Sequence, residues 1–589
     1  MEHRWSLSEL YTSFEANEFK NDLKKYDELI KNIDEMAEKS TIDTNNAVKK
    51  LEEYITITNE FSDLYLRLFA FCELTLSVET KNSDALKYSE IINKKVAELA
   101  KASTKFKKWI GSLKNIEAII STSQILKEHS FYLKEQVTQN KYALNEEEEV
   151  IISRMRNTGS NAWSKLQDLI TSNLLIDIDI NGEKESLPLS VIRSMAFDER
   201  KEIRKKAYEA EIAGYSKIED ISAATLNGIK GEVITVDKLR GYGSALEESL
   251  IISRLDKESL EAMFKAIDKY LPVFRKYLKK KAEILGYKGG LPFYELFAPV
   301  AKINKKYEYD EAKEFVINNF NTFSKKLGDY AKNAFDKNWI DAEPREGKVG
   351  GAFCENLHVI GESRIMSNFT GNFSDVVTLA HELGHGYHGA CLLNESAINS
   401  DYPMPIAETA STFCETIVKK AAIKSSPKEE AFAILETEIS DCTQVIVDIY
   451  SRFLFEKEVF NRRETSSLSV EEFKEIMLDA QKKSYGDGLD SEYLHPYMWI
   501  CKSHYYSAEF NFYNYPYAFG LLFSKGLYAK YLEDTNNFAK EYDKLLSVTG
   551  KNNIADITKL MGIDIHSLDF WESSLKVVEE DINKFIELA

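Results

Sequence analysis

The sequence predicts a mostly α-helical protein with a small β element before residue 375, and three observations carry that prediction. Residues that interrupt helices are scarce early in the chain: the first of ten prolines is Pro188, and Gly111 is the only glycine before Gly159. Apolar residues recur at three- and four-residue spacings through Glu52–Phe71 and Leu86–Phe106, the pattern of long amphipathic helices packed on one another. Strand patterns, by contrast, occur in only two places.

Taken in order, the N-terminal stretch reads as successive helices. Asn145 precedes Glu146–Glu149 and an apolar run, with Glu148 three positions on, so a capped helix starts there. The four glutamates would then complement the helix dipole. Ile176, Ile178 and Ile180 alternate with aspartates and run into Asn181-Gly182, which predicts a hairpin near 176–184. With Leu187-Pro188 after it, this predicts an N-terminal helical portion over 1–188 and a second portion over 189–589. Helical patterns resume from Val191, and Pro272, Pro292 and Pro299 predict shorter segments. Residues 347–371 are rich in glycine, with β-type residues in Arg364–Phe369, the second place where strands are expected.

Composition narrows the classes of function. The 589 residues carry 76 Lys+Arg against 95 Asp+Glu, a formal net charge of −19, which disfavours a nucleic-acid partner. No apolar run approaches the ~20 residues of a membrane span, and the N-terminus lacks the apolar core of a secretory signal. The six cysteines are dispersed, with no Cys-x-x-Cys pair, which fits reduced thiols and a cytoplasmic location.

Chemistry enters at His381-Glu382-Leu383-Gly384-His385. On a helix, residues four apart share a face, so both imidazoles can hold one Zn²⁺ while Glu382 stands beside its remaining coordination position. Ser374 or Asp375 can cap this helix, and Val376, Val377, Leu379, Ala380 and Leu383 supply its apolar body. A catalytic zinc usually takes three protein ligands. His388 shares the face but lies about 10 Å along the axis from His381, so it reads as a supporting or packing residue. Glu408, early on a helix opened by Pro405, is the better third ligand, and Glu415, seven positions on, would share its face and orient a ligating histidine. An ordinary ion-paired glutamate is an equally good reading of Glu415.

These residues resemble the thimet oligopeptidase family of zinc peptidases, specifically its bacterial oligoendopeptidase F branch. His381-Glu-Leu-Gly-His-Gly-Tyr-His388 is similar to the family's extended signature, and Glu408 stands where its third ligand occurs. Gly350–Cys354 and Ile365–Phe369 are similar to the loop and edge strand beside the family's cleft. The resemblance implies a two-lobed helical ellipsoid around a deep channel that admits short unstructured oligopeptides, with one Zn²⁺ per chain and 189–589 as the catalytic portion. It also implies endopeptidase chemistry, in which Glu382 activates a zinc-bound water. Asn368 and Ser367 are expected to contact substrate, and the strand at Arg364–Phe369 to pair with an extended peptide.

The aromatic run from His504 to Tyr517 is also where the family places a histidine and tyrosines that stabilise the transition state. His504, Tyr515 and Tyr517 are the expected counterparts, with Tyr505 and Tyr513 as competitors that would contact substrate. Tyr506, Phe510 and Phe512 read as core. Two alternatives remain at this level: a zinc carboxypeptidase or dipeptidase built on the same motif, and a non-catalytic peptide-binding protein. The second would have no use for Glu382.

Overall fold

A computed structural model describes residues 3–180, 182–301 and 305–589. Among them, helices dominate and five short strands form two small sheets. The chain falls into two compact units, one formed by residues 1–143, 305–421 and 530–562 and the other by 144–304, 422–529 and 563–589.

The first unit begins with helices Asn17–Ser40 and Ala47–Val78, which bury one apolar stripe each, Phe19, Tyr26, Leu29 and Ile33 on the former and Leu51, Ile55, Leu68 and Phe71 on the latter. Tyr11, Phe14, Phe19 and Phe71 then join through edge-to-face and tilted ring contacts at 4.7–5.9 Å. The periodic stretch Leu86–Phe106 is two helices, Ser83–Glu98 and Ala100–Ser112, because the ladder is interrupted at Leu99 while the apolar pattern runs on. Later in this unit a three-stranded sheet is ordered β3-β5-β4, from β3 (Ile340–Asp341), β4 (Phe353–Leu357) and β5 (Glu362–Met366). Strand β5 is central, parallel to β3 and antiparallel to β4.

The second unit opens with helix Glu146–Thr158. Asn145 accepts from the Glu148 N–H at 2.9 Å and Glu148 accepts from the Asn145 N–H at 3.1 Å, which is the reciprocal cap read from sequence. Strands β1 (Leu175–Ile180) and β2 (Glu183–Pro188) form the antiparallel hairpin; Gly182 takes φ +89°, and Asn181 lies outside the described residues. Ile176 and Ile178 bury their side chains, and Ile176 packs against Gly214 of helix Lys201–Tyr215. That contact ties the hairpin to the helices after it, so the compact units part at 143/144 rather than at 188, and each unit is assembled from three separate stretches of chain.

Pro272 does not divide its segment. Helix Lys257–Ile284 runs through it, at the cost of one backbone hydrogen bond, because Leu260, Met263, Phe264, Ile267, Leu271, Phe274 and Leu278 bury a continuous face. This unit also holds buried ion pairs, Lys230–Glu456 at 2.9 Å, Lys525–Glu438 at 2.6 Å and Arg204–Glu295 at 2.6 Å.

Candidate metal centre

The His381–His385 pair lies on helix Phe373–Cys391, in the first unit. The capping residue of this helix is Asn372, not Ser374 or Asp375. Asp375, three residues on, accepts from the backbone N–H groups of Asn372 (3.1 Å) and Thr370 (2.7 Å) and so closes the first turn. The four-residue spacing then brings His381 Nε2 and His385 Nε2 to 3.1 Å.

Glu408 reaches the same point from a second direction. Helix Met404–Ala407 is a single turn, helix Thr409–Ser425 follows, and Glu408 occupies the joint between them rather than a place on a continuous helix. Its Oε2 lies 3.3 Å from His381 Nε2 and 3.4 Å from His385 Nε2, and Ser411 Oγ donates to that oxygen at 2.9 Å. Gly384 makes the approach possible: a Cβ there would stand 2.6 Å from the backbone oxygen of Ala410 and 2.6 Å from Ser411 Cα. Bonds of about 2.0–2.1 Å at a tetrahedral angle put donor atoms about 3.3 Å apart, so this triangle of two imidazoles and one carboxylate has the dimensions of a tetrahedral zinc site with one position left over.

The surroundings favour a cation among these atoms. Burial opposes charge on His381, yet the carboxylates of Glu408 and Glu415 outweigh it and raise its pKa to about 10. Burial likewise opposes a charged Glu415, but Lys419 and His381 hold it down to about 2. Glu415 Oε1 accepts from His381 Nδ1 at 2.5 Å and Oε2 from Lys419 Nζ at 2.7 Å, which leaves Nε2 of His381 to face Glu408. Glu382 is different. Its carboxyl makes no hydrogen bond among the described residues, and burial pushes its pKa up.

Glu382, His381 and Glu415 line a cavity of about 510 Å³ together with Gly351, Ala352, Ser367, Asn368 and Phe369. The amide nitrogen of Asn368 is committed to the carbonyls of Val349 and Gly351, both at 3.0 Å, so only its oxygen is left for a ligand. Ser367 is buried, and its hydroxyl has no partner among the described residues. The strand at Arg364–Phe369 does not offer an edge. The strand that overlaps it, β5, is flanked by β3 and β4, and the N–H groups of Ser367 and Phe369 donate to the carbonyls of Asp341 and Ala342 at 2.9 and 2.8 Å. The sheet's outer strand on this side is β4. His388 stands apart from the triangle: fully buried, it shares a hydrogen bond with Thr549 Oγ1 (2.9 Å) and stacks on Tyr402 at 4.0 Å, and burial lowers its pKa to about 3.

The aromatic run lies in the second unit. His504, Tyr513 and Tyr517 come together, with ring centroids 5.2 Å (His504–Tyr513), 6.3 Å (His504–Tyr517) and 5.6 Å (Tyr513–Tyr517) apart, and all three retain solvent access. Tyr515 does not join them. It is fully buried at the start of helix Tyr515–Glu533, its hydroxyl bonded to Ser253 Oγ at 2.9 Å and to Ser249 Oγ at 3.1 Å. Tyr505 is buried as well, 4.9 Å from the Phe455 ring, and is no surface for substrate. Tyr506 and Phe512 are core residues, but Phe510 is 60% exposed and touches Tyr513 at 5.8 Å. Burial, with Arg452 and Lys502 near, lowers the pKa of His504, which keeps its ring neutral at pH 7.

The sequence places these features in a known group. The family model described as "Peptidase family M3" matches residues 194–577, and that described as "Oligopeptidase F" matches 112–175. The chain belongs to peptidase family M3. It is therefore a peptidase, a hydrolase of peptide bonds. Oligopeptidase PepF of Bacillus subtilis is 24% identical over 597 aligned positions, covering 100% of this chain and 87% of that protein. Chromosomal oligoendopeptidase F of Lactococcus lactis subsp. cremoris is 26% identical over 69% of this chain and 67% of that protein. The fold is similar to the solved oligoendopeptidase-F of Enterococcus faecium, with a TM-score of 0.70 at 17% identity over 96% of this chain and 99% of that one.

Sequence reasoning missed three residues near the centre of this M3 peptidase, and two of them carry no signal in the sequence. Tyr402 stacks on His388, Asn356 donates its amide to the His385 carbonyl at 3.2 Å, and Lys419 anchors Glu415. Lys419 alone was findable, as the residue four after Glu415 on one helix face. No helix among the described residues is long and apolar enough to cross a membrane.

Proposed function

We propose that the chain is a zinc-dependent endopeptidase that hydrolyses internal bonds of short, unstructured oligopeptides. The observation that carries this reading is the triangle of His381, His385 and Glu408 at 3.1–3.4 Å, with an unbonded Glu382 lining the same cavity as His381. Zinc held by these three would supply a Lewis acid that polarises a carbonyl and makes a water more acidic. Glu382 takes the proton of the attacking water and returns it to the leaving amine; its carboxyl is uncommitted, and burial brings its pKa nearer to that of the groups it serves. Glu415 fixes the ring of His381, and Lys419 keeps Glu415 charged. On the family resemblance, and on their clustering at 5.2–6.3 Å within the second unit, His504, Tyr513 and Tyr517 are assigned to substrate and transition-state contacts, with Tyr517 the hydroxyl that would donate to a developing oxyanion. The names of the relatives, oligopeptidase and oligoendopeptidase, support oligopeptides as substrates.

The test is metal analysis together with digestion of quenched peptides blocked at both ends, by wild type and Glu382→Gln. Wild type should bind one zinc per chain and cut the blocked peptides internally. Glu382→Gln should retain zinc and lose about 10²–10⁴-fold in kcat. Near-normal turnover in the variant would remove Glu382 as the base, and intact blocked peptides with wild type would point to an exopeptidase.

A further inference from the structure

A second cavity, of about 530 Å³, lies wholly within the first unit, farther along β4. Its lining includes Cys354, Glu355 and Asn356 of β4, Gly389 and Leu392 around the end of the histidine helix, and Tyr402. One of these residues links it to the centre: Asn356 donates to the His385 carbonyl at 3.2 Å. The first cavity is lined by Gly351 and Ala352, the two residues before β4, and the second by Cys354, Glu355 and Asn356 within it, so the two cavities follow one another along the same stretch of chain.

The charge of this cavity is unbalanced. Neither lysine nor arginine is among its described lining residues. Glu362 is neutralised by Arg364 at 2.9 Å, and His358 faces Asp63 at 3.9 Å. Glu355 has no such partner among the described residues. Its cross-strand neighbour is Arg364, which is already committed to Glu362, Glu9 and the Ser6 carbonyl. Burial, with Glu73 adding to it, pushes the Glu355 carboxyl up to about 7, as happens to a carboxylate lacking a counter-charge. A half-buried carboxylate without a cation, in a space large enough for a side chain, has the makings of a recognition site for one.

We propose that this cavity is a specificity subsite of the peptidase and that Glu355 binds a cationic nitrogen of the substrate, either the side chain of a lysine or arginine or a free α-amino group. The inference rests on the peptidase reading above, because the occupant is part of a peptide lying along β4.

The experiment uses zinc-loaded enzyme and quenched peptides in which each of the three residues on either side of the scissile bond is in turn lysine, norleucine or glutamate, each peptide with a free or an acetylated N-terminus. Wild type should prefer lysine at one position, or the free terminus, by roughly tenfold in kcat/KM, the size of one partly buried charge pair. Glu355→Gln should bring that ratio close to one, and Glu355→Lys should reverse it towards glutamate at the same place. Loss of the acetylation effect alone identifies the α-amino group, and loss of the lysine effect alone identifies a side chain. Glu355→Gln should unfold at or above the wild-type temperature, since it removes an uncompensated buried charge. Efficient cleavage without charge preference, or a preference that survives in Glu355→Gln, would overturn the subsite and leave the peptidase reading intact. Failure of wild type to cut any of the peptides would overturn both.

Discussion

The metal centre and the His504–Tyr517 segment are held in place in opposite ways. At the candidate metal centre the donors sit on or beside regular helices, and contacts within residues 381–419 hold two of them: His381 is bonded to Glu415, which is bonded in turn to Lys419, and Glu408 is bonded to Ser411. The aromatic segment is a series of short turns, and Phe512 within it adopts φ +55°, a left-handed conformation that is uncommon outside glycine. What fixes it comes from far away in the chain. Lys230 Nζ donates to Glu456 (2.9 Å) and to Asn511 Oδ1 (3.0 Å), and Asn514 donates to Glu456 at 2.8 Å. A centre built on helices should therefore fail through its neighbours in space at one turn's distance, and a segment pinned by a buried network should fail from residues that never meet a ligand.

The largest effect expected from that contrast is at Gly384. Gly384→Val places a branched side chain against the backbone of Ala410 and Ser411, where even a Cβ would be at 2.6 Å. The Glu408 joint must move away from the histidines, so zinc affinity should fall by at least as much as the 10–100-fold typical of a lost supporting contact. Competition with a chelator measures it. Wild-type affinity in Gly384→Val would mean that Glu408 is not held by helix contact, and the comparison would break.

Lys230→Met tests the other side. It leaves Glu456 buried without its cation, which costs about 3–5 kcal/mol and should show in denaturant unfolding. Below its unfolding transition the variant should keep its zinc yet turn over more slowly, because Asn511 loses its anchor and Asn514 keeps only a weakened one. A stability loss with unchanged kcat would show that the network supports the fold alone.

The same contrast explains what could be read in the sequence. His381, Glu382 and His385 were legible because helical spacing converts directly into direction, and the Asn145 cap and the alternating hairpin were legible for the same reason. Glu408 was found by its distance from the histidines, although the break at residue 408 was not. Along Tyr513–Tyr515–Tyr517, spacing carried no such information. The left-handed turn at Phe512 resets which residues face together, so Tyr513 joins Tyr517 and Tyr515 points inward to Ser253. Pro272 was misread because a proline's local cost is set against a buried helix face contributed by distant elements. Glu355 was invisible because its meaning lies in the counter-charge it lacks.

The smallest effects decide that tyrosine assignment. Tyr517→Phe removes one hydroxyl from the exposed aromatic group and, if it donates to the developing oxyanion, should lower kcat by about 10²-fold with little change in KM. Tyr515→Phe removes an equally ordinary hydroxyl, but a buried one. Its two serine partners lose a hydrogen bond, which is worth about 1 kcal/mol of stability, while kcat should stay within about twofold of wild type because the ring keeps its packing. The pair is informative because both substitutions delete a single oxygen two residues apart in sequence. If Tyr515→Phe were the slower enzyme, the buried hydroxyl would have to reach substrate through an opening of the helix start, and the turn at Phe512 would be a hinge rather than a fixed bend.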